Sequence, residues 1–324
     1  MRAGVTLGDG STSAPAPAAT RAQALAALRE RLTRAGVASP EAEAEWLLLH
    51  ALGIGRAAYW SEPRAPLRGE EEAALEAFAV RRESHEPLQL ILGEVPFHDA
   101  ILTVEPGVFL PRPETEVLME AVLVALGAGA SSRPRPAQDA RPPERGSLLD
   151  WGTGTGAIAI ALLKALPGWT AVAADRSGPA LHLALRNAAR NGVADRFRAR
   201  MADFAKPAVP GSETFIPGAP FDLVVSNPPY VRHGDLPGLM PEVRDHEPRE
   251  ALDGGEDGLD ALRHLARGLG SWLAPGGLLA LEIGAAQADD VLGLYGALIQ
   301  DARVLPDRAG LPRIVIGTMR GQRP

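Results

Sequence analysis

Residues 147–166 read SLLDWGTGTGAIAIALLKAL, and this stretch decides the fold. A short apolar run, 147–151, enters the turn Gly152-Thr153-Gly154-Thr155-Gly156 and leaves it as a helical pattern. Glycine tolerates the left-handed backbone such a turn needs, and without a Cβ it lets a ligand approach the main chain and the N–H groups of the following helix. Outward from this point, short apolar runs alternate with helical patterns, the signature of βα units on a mostly parallel sheet. Strands are expected at 147–151, 170–175, 197–202, 221–226, 277–283, 302–306 and 312–318. Helices are expected near 156–166, 177–191, 258–273 and 286–300. The expected class is α/β.

Upstream the periodicity changes. From Thr20 to about Arg82, Leu25, Leu28 and Leu32, then Ala42, Trp46, Leu47 and Leu49, recur at helical spacing, and Ser39-Pro40 forms a cap and first-turn pair. Residues 20–86 are therefore expected to form a small helical domain. Residues 87–115 read as a β-hairpin or extended connector, and residues 116–324 as the catalytic domain. Residues 1–19 read as a disordered tail. Residues 128–146, rich in Gly, Pro, Ala and Arg, and residues 205–220 read as mobile loops that cannot bury enough apolar surface to order themselves.

Composition narrows the chemistry. The 324 residues allow about two domains at roughly 150 residues each. There is no cysteine, which excludes disulfides, Cys-based zinc sites, thiolate nucleophiles and iron–sulfur clusters. With 33 Lys+Arg against 40 Asp+Glu, the net charge is -7, which argues against a protein that holds nucleic acid by neutralising phosphates. No apolar run reaches the roughly 18–20 residues of a membrane helix, and the N-terminus lacks a secretory core, so a cytoplasmic protein is expected. His98, His233 and His246 are dispersed, and no metal site is read. Asp253, Glu256, Asp257 and Asp260 lack calcium-loop spacing and read as a solvated acidic turn.

Asp175 ends the second strand, about 20 residues past the glycine loop, where an acid accepts hydrogen bonds from a ribose diol. As a helix cap it has a better rival in Ser177. Glycine loop plus ribose acid means an adenosine-containing cofactor, either a nicotinamide dinucleotide or S-adenosylmethionine, and the loop alone does not choose between them. The fourth strand ends in Ser226-Asn227-Pro228-Pro229-Tyr230, at the carboxyl edge of the sheet where open α/β sheets bind ligands. Two prolines remove two N–H groups and fix φ, so the Pro228 carbonyl and the Asn227 side-chain oxygen can serve as rigid acceptors for one NH₂ group, with Tyr230 as a flat wall. An amide or ring-amino nitrogen clamped in this way is aimed at an electrophilic methyl.

The DWGTGTG loop, the NPPY motif and Leu110-Pro111-Arg112-Pro113-Glu114-Thr115-Glu116 together resemble the protein-(glutamine-N5) methyltransferases that modify peptide chain release factors, the PrmC/HemK family. EPREALDGGEDGLDALR (247–263) and APGGLLALEIGAAQ (274–287) follow the family pattern as well, so the resemblance covers roughly residues 20–320, excluding the tail and the Pro-rich insert. It implies a class I, Rossmann-like, S-adenosylmethionine-dependent methyltransferase behind a helical-bundle domain that docks the release factor. The substrate it implies is the glutamine of the factor's GGQ motif. It further implies that Gly152, Thr153, Gly154, Thr155 and Gly156 cradle the methionine part of the cofactor, that Asp175 holds its ribose, and that Asp203 and Phe204 flank its adenine. Asn227 would lie between cofactor and substrate, with Asn227, Pro228, Pro229 and Tyr230 holding the glutamine. Arg112 and Glu116 are candidate substrate-binding residues, their plain alternative being charges at a helix N-terminus. Glu282, ending a buried apolar strand, reads as a hydrogen-bonding support and not as a base.

The expected enzyme acts as a monomer on a protein substrate, with no stable nucleic-acid partner and no membrane. The alternatives are an adenine-N6 or guanine-N2 nucleic-acid methyltransferase, which would clamp a flipped base in the same way, and a ribosomal-protein glutamine methyltransferase. A noncatalytic cofactor-binding scaffold or a nicotinamide-linked dehydrogenase leaves NPPY unexplained.

Overall fold

A computed structural model of the chain describes residues 18–128, 144–203 and 216–321. It divides into two compact units, Met1–Ile91 and Leu92–Pro324. The expected tail at 1–19 and the loops at 128–146 and 205–220 fall largely outside the described residues.

In the first unit, helices α1 (Arg21–Arg34), α2 (Pro40–Leu52), α3 (Arg56–Ser61) and α4 (Gly69–Glu83) follow one another, and α5 (Leu88–Leu92) runs to its boundary. Thr20 and Gln23 start α1 with a reciprocal capping box, each side chain satisfying the other's otherwise orphaned backbone N–H. Leu25, Leu28 and Leu32 of α1 are buried, as their spacing requires, against the faces of α2 and α4. On α2 the expected stripe is shifted. Ala44, Leu47, Leu48 and Leu49 are buried, while Ala42 is exposed and Trp46 is 53% exposed. Three consecutive leucines let the buried face turn by one residue, and the register that pairs Ala44 with Leu48 puts Ala42 and Trp46 on the water side. Arg82 of α4 donates to Glu43 of α2 at 2.5 Å with its side chain only 4% exposed, so the two helices are also joined by a desolvated ion pair.

The second unit opens with a hairpin, β1 (Glu94–Phe97) and β2 (Ala100–Thr103), and helix α6 (Pro113–Ala125). Then come β3 (Gly146–Trp151), α7 (Ala157–Ala165), β4 (Trp169–Asp175), α8 (Gly178–Arg190), β5 (Phe197–Met201), β6 (Phe221–Ser226), α9 (Pro241–Arg244), α10 (Asp260–Trp272), β7 (Leu273–Glu282), α11 (Ala288–Tyr295), β8 (Ile299–Pro306) and β9 (Pro312–Met319). The seven main strands lie in the order β5-β4-β3-β6-β7-β9-β8. The first five are parallel, and β9 and β8 close the edge antiparallel. Chain order reverses at β3 and β6, which places the switch point, and a ligand crevice, beyond their carboxyl ends.

Period-two alternation sorts the strands between two cores. Leu148, Leu223, Ala280 and Ile316 join α6 and α7 on one face, while Leu149, Val224, Leu279 and Val315 join α10 and α11 on the other. The hairpin is held to α8 by side-chain amides that imitate a strand: Asn187 exchanges hydrogen bonds with both backbone groups of Thr103, and Asn191 does so with Ile101. Asn187 also donates to the carbonyl of Thr155, which couples the hairpin to the glycine loop.

Several expected boundaries move. Residues 87–115, read as a hairpin or extended connector, hold the hairpin at Glu94–Thr103 but also helix α5 (Leu88–Leu92) and the start of α6 at Pro113, which takes the first helical position. The helix expected over 286–300 spans only Ala288–Tyr295, because Gly293 and Gly296 weaken it and Ile299, fully buried, pairs with Met319 to begin β8. The strand expected at 277–283 begins at Leu273, directly after α10.

Candidate active site

Three glycines make the turn after β3 possible. Gly152, Gly154 and Gly156 have φ of +75°, +55° and +84°, a region that side chains disfavour. The N–H groups of Gly152 and Thr153 both donate to the carbonyl of Ala174 on β4, and that of Gly154 donates to Asp175 Oδ2 at 2.9 Å. A Cβ on Gly152 or Gly154 would meet no atom within 4 Å, so the loop's bare backbone faces open space, whereas Gly156 packs against Ala184 of α8. Beneath the loop lies Asp150, fully buried, accepting from the Thr153 hydroxyl at 2.7 Å and the Ala159 N–H at 3.2 Å. Burial pushes its carboxyl up to about 7.

Asp175 ends β4. Its Oδ1 accepts from the Ser177 N–H and its Oδ2 from Gly154, and burial raises its pKa against those hydrogen bonds. The cap of α8 is Ser177, whose hydroxyl accepts from the Ala180 N–H, so Asp175 is left to face the crevice.

The crevice is a cavity of about 530 Å³, within the size range of small-molecule sites. Residues 151–155, Asp175, Asp203, Asn227 and Pro229 line it. Phe204 lies outside the described residues. Pro228 is buried, and Tyr230 turns its hydroxyl to Glu282 Oε1 at 3.2 Å. Thr115, in the first turn of α6, also lines the cavity; it accepts from Asn227 Nδ2 at 3.1 Å and donates to Glu282 Oε2 at 2.7 Å. No hydrogen bond engages Asn227 Oδ1 among the described residues. Burial pushes the Glu282 carboxyl up to about 7 and raises the Tyr230 hydroxyl.

Arg112 and Glu116 are not in the lining. Arg112 ion-pairs with the buried carboxylate of Glu247 and sits over the Phe109 ring at 5.2 Å, so it fastens the 107–112 segment to the 247–251 segment. Glu116 accepts from the His98 N–H at 3.0 Å and pairs with Arg308 on the far side. Sequence reasoning missed the opposite rim. Pro248, Glu250, Ala251, Asp253, Asp260 and His264 all reach the cavity, so the acidic turn is more than a solvated one. Asp253 accepts from the Gly255 N–H and pairs with His233 and Arg249. That rim is locked to the NPPY turn by Gln287, whose Nε2 donates to the carbonyls of Tyr230 and Gly258. No group of His, Asp and Glu suited to a metal ion occurs among the described residues.

Two family models match the chain: the PrmC N-terminal domain over residues 23–93 and the methyltransferase small domain over residues 137–240. A release factor glutamine methyltransferase of Geobacter sulfurreducens is 39% identical over 290 residues, covering 89% of this chain and 93% of the relative. That of Moorella thermoacetica is 40% identical over 309 residues, covering 93% and 99%. The chain belongs to the release factor glutamine methyltransferase family. It is thus an enzyme, and its sheet order is the class I, Rossmann-like arrangement expected for such a methyltransferase. Among solved structures, a 16S rRNA N2 methyltransferase of T. thermophilus in complex with AdoMet and guanosine matches with a TM-score of 0.45 and 20% identity, covering 70% of this chain and 50% of the other. No helix among the described residues is long and apolar enough to cross a membrane.

Proposed function

We propose that this methyltransferase transfers a methyl group from S-adenosylmethionine to the side-chain nitrogen of the glutamine in the GGQ motif of peptide chain release factors. The observation that carries the reading is Asn227 at the end of β6: its Nδ2 is committed to Thr115, which leaves the carbonyl oxygen to accept from an amide NH₂ beside the cavity. S-adenosylmethionine, when bound, supplies an electrophilic methyl on a sulfonium. The residues present suit it, since the bare glycine backbone has room for the methionine part and Asp175, at a strand end in the cavity wall, suits a ribose diol. Asp203 is proposed beside the adenine, and Phe204 is carried with it from the family pattern.

Asn227 Oδ1 and the Pro228 carbonyl hold the two N–H groups of the glutamine amide. This would polarise a nitrogen whose lone pair is otherwise delocalised and turn it toward the electrophilic methyl that the cofactor supplies when bound. Pro229 and Tyr230 complete the turn around the side chain. The amide sheds its proton after transfer, so no strong base is required. Arg112 serves by fixing the segment before α6, and Glu116 by tying α6 to the hairpin turn at His98 and to Arg308. The helical unit docks the factor, and the enzyme works as a cytoplasmic monomer without stably bound nucleic acid. Incubation with methyl-labelled cofactor should label purified release factor, and a factor whose GGQ glutamine is replaced should stay unlabelled; equal labelling of both would refute the reading.

A further inference from the structure

Three elements far apart in sequence meet at Asn227. Thr115 of α6 and Glu282 of β7 stand 112 and 55 positions away and are 4% and 1% exposed. Their hydrogen bonds form a chain with one direction: Asn227 Nδ2 donates to Thr115 Oγ1 at 3.1 Å, and Thr115 donates to Glu282 Oε2 at 2.7 Å. The other carboxylate oxygen, Oε1, accepts from Tyr230 Oη at 3.2 Å.

A threonine hydroxyl has one proton. Once that proton is given to Glu282, only lone pairs remain for Asn227, and an asparagine can satisfy them only with its NH₂ group. The flip of an asparagine amide is set by such a network and not by its shape. We propose that Glu282 and Thr115 are positioning residues for methyl transfer: by committing the Thr115 proton, Glu282 fixes the Asn227 amide with its carbonyl oxygen toward the acceptor nitrogen. This rests on the reading of Asn227 as an amide clamp.

The device titrates. Both oxygens of Glu282 act as acceptors, so the chain is complete when the carboxyl is ionised. A proton on Oε2 makes Glu282 a donor to Thr115, frees the Thr115 proton to seek Asn227 Oδ1, and turns the asparagine NH₂ toward the substrate's own NH₂. A proton on Oε1 displaces the Tyr230 hydroxyl instead. The charged and titratable groups facing Glu282 are Glu114 on α6, Tyr230 after β6 and Arg313 on β9, the last held by Asp307. Burial opposes the charge on Glu282 more than Arg313 supports it, which brings the proton within reach near neutrality.

The test is steady-state kinetics on release factor from about pH 6 to about pH 9, with cofactor affinity by calorimetry and folding by thermal melt. T115V should lower kcat roughly tenfold, the worth of about one net hydrogen bond, with cofactor Kd little changed, and T115S should restore it. E282Q keeps an oxygen for Thr115 but cannot ionise, so it should hold kcat within about threefold of wild type at alkaline pH and abolish the acid limb. Wild-type kcat in T115V, or an unaltered acid limb in E282Q, would overturn the relay alone. A wild-type enzyme that binds cofactor but methylates no release-factor glutamine would overturn the clamp reading and the relay together.

Discussion

The glycine loop at 152–156 and the turn at 227–230 stand at the carboxyl ends of adjacent parallel strands, yet they are held by opposite means. The loop is tied largely through its own backbone groups: the N–H groups of Gly152 and Thr153 bond to the Ala174 carbonyl, that of Gly154 to the Asp175 carboxylate, and the Thr155 carbonyl accepts from Asn187. The NPPY turn has lost two N–H groups to proline and is held from outside, by Thr115, Glu282 and Gln287 reaching in from other elements. A backbone-held site tolerates side-chain changes but not a Cβ in a left-handed position. A site held by side chains is open to titration and to isosteric substitution. Cofactor affinity and transfer rate should therefore separate under mutation.

The largest effect is expected from N227A, which removes the acceptor proposed to hold the reacting amide. Steady-state kinetics should show kcat down on the order of 100-fold or more, while calorimetry finds cofactor Kd within a few-fold. Equal losses in both would mean the two sites are one. G154A forces a side chain into φ +55° and should weaken cofactor binding by about 1–2 kcal/mol, roughly tenfold, with kcat at saturating cofactor near wild type. A fall in kcat with unchanged Kd would reverse the assignment.

pH sharpens the contrast further. Asp150 under the loop and Glu282 under the turn are both lifted to about 7 by burial. For Glu282 the ionised form is the proposed competent one, so kcat should be half-maximal near pH 7, full well above it, and fall below it, approaching tenfold per unit. D150N should retain this limb and E282Q lose it. The smallest effect is expected at Arg308, 62% exposed in its side chain, where R308A breaks ion pairs to Glu116 and Glu120. Such pairs contribute about 0–1 kcal/mol, so melting temperature should barely move and kcat should stay within about twofold.

The contrast also explains what the sequence revealed. The glycine loop and NPPY were legible because each encodes a local backbone demand, positive φ in one and missing donors in the other. The central strands β3, β6 and β7 were legible because buried parallel strands read as short apolar runs between helices, which the exposed, polar edge strands β5 and β8 do not. The support of Asn227 was legible only in part: Glu282 reads from its strand end as a hydrogen-bonding group, but the residue that links it to Asn227, Thr115, looks like any first-turn threonine until α6 is packed against β7. The rim at 248–264 escaped for the same reason, since Asp253 and Asp260 reach the cavity only once Gln287 pins Gly258 to Tyr230. The short α11 shows tertiary override, with Ile299 recruited into β8 by Met319 despite a helical pattern. Arg112 and Glu116 were visible as charges, but their partners Glu247 and Arg308 lie 135 and 192 positions away.

The proposed function has the NPPY turn present a protein amide to the methyl group. Its most direct measurement is peptide mass analysis after the wild-type enzyme is incubated with labelled S-adenosylmethionine, purified release factor and competing RNA. A single added methyl on the glutamine of the GGQ motif and none on RNA is expected; label in the RNA, or on any other residue of the factor, would overturn the amide clamp.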